Sequence, residues 1–114
     1  DNITELITTK TMRERKQIME DRADAFIVTP GGIGTLEEFF EILTLKQLGR
    51  HGKAIVIYNQ NGFYDHLLSM LKETADKGFM TSATNDIYTV MDDADIILDY
   101  LENYKTDIGR VFKF

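Results

Sequence analysis

Cysteine and tryptophan are absent from this 114-residue chain, and Pro30 is its only proline. Without cysteine there is no disulfide framework, no thiolate zinc site and no thiol nucleophile, and the composition suits a reducing compartment, so a cytoplasmic location is expected. Basic residues are also scarce, with 13 Lys+Arg against 19 Asp+Glu and a net charge of −6. A duplex-binding surface needs clustered Lys and Arg to neutralise phosphates, so nucleic acid is not an expected partner. A small anion held by backbone amides stays open. No run approaches the roughly 20 apolar residues of a membrane span, and no charged segment followed by an apolar one opens the chain, so no membrane partner is expected.

What is present is the balance of a globular domain, 43% hydrophobic and 28% charged, and residues 1–114 read as one domain. Hydrophobic periodicity, punctuated by glycine, types the segments. Glu5–Thr8 reads as a short strand that looks taken from the middle of something larger, and Thr11–Arg22 reads as a helix. Ala25–Thr29 is an apolar, β-branched run of the buried parallel kind, ending at Pro30-Gly31-Gly32. Thr35–Leu48 is a helix closed by Gly49, Lys53–Asn59 a second buried strand, and Phe63–Lys77 a helix stopped by Gly78. Ile87–Val90 is a strand, and Asp93–Tyr104 a helix capped by Asp92 and Asp93. The alternation predicts right-handed βαβ units on a parallel sheet, an α/β Rossmann-like three-layer fold. Four short strands leave exposed sheet edges, which points to a missing part or a covering partner.

The most informative segment is Thr29-Pro30-Gly31-Gly32-Ile33-Gly34-Thr35-Leu36-Glu37-Glu38. It lies where a parallel strand gives way to a helix, the edge at which α/β proteins bind ligands. Glycines there permit positive φ and close approach of backbone N–H groups to an anion, while the helix N-terminus adds partial positive charge, so phosphate is the natural guest. The alternative is a plain tight loop followed by a Thr35-x-x-Glu38 capping box. On the helix, Leu36, Phe39, Phe40 and Leu43 form a core stripe. Glu38, Ile42 and Leu45 form a second stripe, which needs cover, most simply from another subunit.

In the preceding helix, Met12, Met19 and Ala23 share a face, with Arg15 at its edge. Arg13, Glu14, Glu20 and Asp21 read as the solvated face. Arg15 either snorkels or uses its fork geometry to meet a phosphate or ribose at the mouth of the glycine turn. His51 in a turn and His66 near a helix start have no partners at metal spacing and read as surface histidines. Ser69 and Ser82 lack a nucleophile elbow, and the glycine turn lacks the Gly-Lys-Ser/Thr ending of a P-loop.

Met12-x-x-Arg15-Lys16 followed by Pro30-Gly31-Gly32-x-Gly34-Thr35-x-x-Glu38 resembles the paired signature of the Lonely Guy family, cytokinin riboside 5′-monophosphate phosphoribohydrolases long labelled lysine decarboxylases. The similarity runs on through Gln47-Leu48-Gly49, the strand Lys53–Asn59 and Gly62-Phe63-Tyr64 to Gly78-Phe79. The resemblance implies a Rossmann-like homodimer or larger homo-oligomer that cleaves the N-glycosidic bond of adenine nucleoside 5′-monophosphates, without metal or organic cofactor. It implies Arg15 and Glu38 as the catalytic pair, with Gly31, Gly32, Gly34 and Thr35 holding the phosphate of an AMP-like nucleotide and Met12, Lys16 and Glu37 completing the substrate-binding set. The family's glycine-rich turn after its first strand has no counterpart here, so the chain reads as the C-terminal portion of the family domain. Nothing in the sequence identifies a lysine that would bear pyridoxal phosphate. A non-catalytic carrier of nucleotide or molybdenum cofactor, on the same superfamily fold, is the competing function.

Overall fold

The computed structural model describes residues 12–104 and 111–114, with the backbone alone at Met12, Arg13, Arg15, Lys16, Val111 and Phe112. The strand expected at Glu5–Thr8 lies outside the described residues. In chain order the elements are α1 (Met12–Arg22), β1 (Ala25–Val28), α2 (Ile33–Gln47), β2 (Ala54–Tyr58), α3 (Asp65–Asp76), β3 (Thr89–Met91), α4 (Ala94–Tyr104) and β4 (Val111–Lys113). The sequence reading stops at Tyr104 and has no counterpart of β4.

Among the described residues four strands form one sheet in the order β3-β2-β1-β4, and every neighbouring pair is parallel. Ala25 pairs with Ala54 on one side and Val111 on the other, so β1 is central. Its four residues are all buried, as the uninterrupted apolar run requires of a strand covered on both faces. Side chains alternate between the two layers. Phe26, Val28, Ile55 and Ile57 pack with Phe39, Ile42, Leu43 and Leu71 of α2 and α3, together with Ala23. Ala25, Ile27, Ala54 and Val56 pack with Ile97 and Leu101 of α4.

Right-handed crossovers account for this layering. The chain steps outward from β1 to β2 to β3, placing α2 and α3 on one face, then returns past β1 to β4, placing α4 on the other. The reversal makes the carboxyl edge between β1 and β4 a topological switch point, the place where open α/β sheets hold ligands. The Pro-Gly-Gly turn leaves β1 at that point.

Two expectations about α2 are corrected. The buried stripe runs through Glu38, Phe39, Ile42 and Leu43, while Phe40 is 40% exposed. Ile42, 1% exposed, sits in the same core as Ala23, with Met19 packed against it, so the chain itself covers the second stripe at that position, while Leu45 stays half-buried beside a recess that it shares with Gln17, Glu20 and Asp21. None of the described helices is long and apolar enough to cross a membrane.

Candidate nucleotide site

Helix α2 begins at Ile33, two residues earlier than expected, with Gly32 as N-cap and no side-chain cap. Thr35 and Glu38 therefore lie inside the helix and form no capping box. The first backbone donor returned within the helix comes from Leu36, to the Gly32 carbonyl at 3.1 Å. The N–H groups of Ile33, Gly34 and Thr35 precede it in the first turn, where an α-helix has no acceptor of its own to offer them. Together with the dipole of a 15-residue helix, they make a seat for an anion.

The glycines serve this seat by what they leave out. Among the described residues, positive φ at glycine is confined to Gly49, Gly62 and Gly78, so the left-handed backbone expected at the Gly31–Gly34 turn is not the reason for its composition. A Cβ added to Gly31 would collide with the Thr35 hydroxyl and lie 3.0 Å from the Thr35 Cβ. At Gly32 and Gly34 nothing lies within 4 Å of such an atom, and both residues are exposed. The turn thus presents bare, accessible main chain beside the helix start.

The exit from β1 is held from three directions. The N–H and hydroxyl of Thr29 both donate to the Phe114 carbonyl, at 2.7 and 2.9 Å, and the Tyr64 hydroxyl donates to the Thr29 carbonyl at 2.5 Å. Burial raises the Tyr64 hydroxyl above its ordinary value, which keeps it a donor. Beside this exit, on the α4 side, a mainly apolar recess of about 210 Å³ is lined by Ile27, Thr29, Tyr58, Ile97, Leu98 and Lys113.

Five residues along α2 from Ile33, Glu38 is only 4% exposed. Glu20, read from sequence as solvated, is 5% exposed and turns inward. Carboxylate oxygens of Glu20, Glu38 and Glu41 come within 4.8 Å of one another. Each of the three also engages another group, so the cluster is not read as a cation site. Position 20 lies three residues before buried Ala23, and that helical spacing is the signal that would have placed it inward. Glu37, by contrast, is exposed on the outer side of α2. The backbones of Met12, Arg15 and Lys16 belong to α1, and their side chains lie outside what is described.

A brace fixes α1 against α2. Lys53 Nζ donates to the carbonyls of Glu20 (2.8 Å) and Asp21 (3.3 Å), satisfying orphan acceptors at the end of α1. The Lys53 N–H donates to His51 Nδ1 at 3.1 Å, so the ring proton resides on Nε2, which donates to the Ile42 carbonyl at 2.9 Å. His51 is thus a half-buried structural link rather than a surface histidine. His66 is exposed, as expected.

A parallel α/β sheet with an open glycine turn and helix N-terminus at its switch point, and a buried carboxylate further along the same helix, defines a Rossmann-like protein. The family model described as possible lysine decarboxylase matches residues 1–101, and the chain belongs to that family. Its curated relatives carry a more specific name. A cytokinin riboside 5′-monophosphate phosphoribohydrolase of Arabidopsis thaliana is 43% identical over 104 residues, which cover 91% of this chain and 49% of the relative. Proteins of that name from Mycobacterium tuberculosis and Mycobacterium marinum are 49% and 46% identical, over 77% and 80% of this chain and 47% and 49% of the relatives. The chain spans about half the length of the curated relatives it matches.

Proposed function

We propose that the intact protein hydrolyses the N-glycosidic bond of adenine nucleoside 5′-monophosphates, N6-modified ones included, giving free base and ribose 5-phosphate. The observation that carries this reading is the buried carboxylate of Glu38 further along α2 from its exposed N-terminus. Glu38 is five residues along from Ile33, roughly 7 Å of helix rise, which is the scale of a ribose 5-phosphate. The names of the relatives support the same chemistry.

In this mechanism the backbone N–H groups of Ile33, Gly34 and Thr35 bind the 5′-phosphate, with Gly31 and Gly32 allowing its close approach. Met12, Lys16 and Glu37 complete the substrate-binding set. The bond from C1′ to the base nitrogen breaks with its electron pair leaving on the base, and positive charge develops on the ribosyl ring. Glu38 stabilises that charge and orients the attacking water, whose oxygen bonds to C1′ while a proton is delivered to the departing base. Arg15 positions phosphate or ribose and offsets negative charge on the base. No metal or organic cofactor is required. The protein acts in the cytoplasm as a homodimer or larger homo-oligomer, with residues 1–114 forming part of one Rossmann-like domain.

Glu38→Gln keeps the side chain's shape and removes its charge, so AMP binding measured by calorimetry is expected to survive while turnover falls by about 100-fold or more. Turnover near that of the wild type would remove Glu38 from the mechanism.

A further inference from the structure

We propose that Tyr64 is a positioning residue for the phosphate seat, acting through the Thr29 carbonyl from the N-cap of α3. The inference rests on the nucleotide-site reading above and assigns a role to a residue outside both signature motifs. Tyr64 is 3% exposed, and its hydroxyl reaches 35 residues back along the chain to the last carbonyl before Pro30. Proline cannot donate a backbone hydrogen bond, and Gly31 and Gly32 carry no side chain that could anchor them. The orientation of the Thr29–Pro30 peptide therefore decides where the turn begins.

That orientation is held at both ends of Thr29, by its N–H and hydroxyl on Phe114 and by its carbonyl on Tyr64. Tyr64 is itself held. Its N–H donates to Asn59 Oδ1 at 2.7 Å, Asn59 Nδ2 donates to Asp65 Oδ1 at 2.8 Å, and the Asn59 N–H donates to the Met91 carbonyl at 2.7 Å. The turns at the carboxyl ends of β1 and β2 are thereby coupled, and the second fixes the anion seat carried by the first. The Tyr64 ring also meets Phe63 edge-on, with centroids 4.8 Å apart, so its direction survives loss of the hydroxyl.

The test is AMP affinity, by calorimetry on the native protein, in Tyr64→Phe and in Leu71→Val, a control that loosens the same core layer away from the turn. Loss of one orienting hydrogen bond is expected to weaken AMP about tenfold in Tyr64→Phe, with KM rising and kcat within about twofold of the wild type. Leu71→Val is expected to lose stability and keep its affinity. Equal affinity in Tyr64→Phe and wild type, or an equal loss in Leu71→Val, overturns the proposal. If Tyr64→Phe does not fold, Asn59→Ala, which removes the side chain that holds the Tyr64 N–H, takes its place. Weaker AMP binding in that variant is expected, and unchanged binding overturns the role of the anchor. Failure of the wild type to bind AMP at all would instead refute the nucleotide reading.

Discussion

Gly34 separates the demands of folding from those of binding within a single residue. It sits in the first turn of α2 with helical backbone and open space where a side chain would go. Glycine in such a position costs stability relative to alanine, roughly 0.5–1 kcal/mol in a helix interior. Gly34→Ala is therefore expected to raise the denaturation midpoint slightly while weakening AMP binding, because its methyl group occupies the approach to the helix N–H groups. Thermal melting and calorimetry on one preparation check both halves, and unchanged affinity would argue that the anion sits elsewhere. At this scale the sequence is legible where a residue is defined by its motif, as with Gly31, Gly34 and Glu38. Glu20 and Tyr64 were missed because their importance comes from where distant elements bring them. A charged residue on a charged helix reads as solvated, although Glu20 of α1 is buried beside Glu38 and Glu41 of α2.

The elements show what short-range patterns convey. β1 and β2 were legible as continuous apolar runs, and the helices ended near the glycines that stop them, Gly49 and Gly78, both at positive φ. β4 was missed because a three-residue edge strand following helix α4 has too little length to display a period. Helical spacing identifies the second apolar side of α2 without naming what covers it. At Ile42 the cover comes from the end of α1, tied down by Lys53, while His51 ties to the Ile42 carbonyl. Lys53→Met retains most of the aliphatic stem and deletes the donor to Glu20 and Asp21, so a loss of about 1–2 kcal/mol is expected in urea denaturation. A stability equal to the wild type's would mean that α1 is held by packing alone.

For the whole molecule, the sheet order explains why the fold presents its candidate site at one edge, and buried Tyr64 and half-buried Tyr88 contribute to its response to alkali. Burial raises Tyr88, with a further push from Asp86, and burial also raises Tyr64. Groups raised above their unfolded value contribute stability that is fully present below about pH 10, and this is lost as pH rises through the folded values. The urea midpoint is accordingly expected to fall above pH 10, less steeply in Tyr88→Phe, and an identical slope in that variant would contradict the assignment. Assembly also has to be tested differently from what the sequence suggests. Ile42→Asp places a charge in the chain's own core and is expected to abolish folding rather than dissociate subunits. Phe40, half-exposed on α2, is the better probe, and Phe40→Glu is the variant whose sedimentation mass reports on a homodimer through that helix.

The central claim is glycosidic cleavage at a phosphate seat. It is tested most directly by chromatographing the products of AMP and N6-isopentenyl AMP after incubation with the native protein and with its Glu38→Gln variant. Free base and ribose 5-phosphate in equal amounts from the native protein, with both disappearing in the variant, is the predicted result. No base from either nucleotide, with nucleotide or pterin still bound in calorimetry, would contradict the hydrolase and make the protein a carrier.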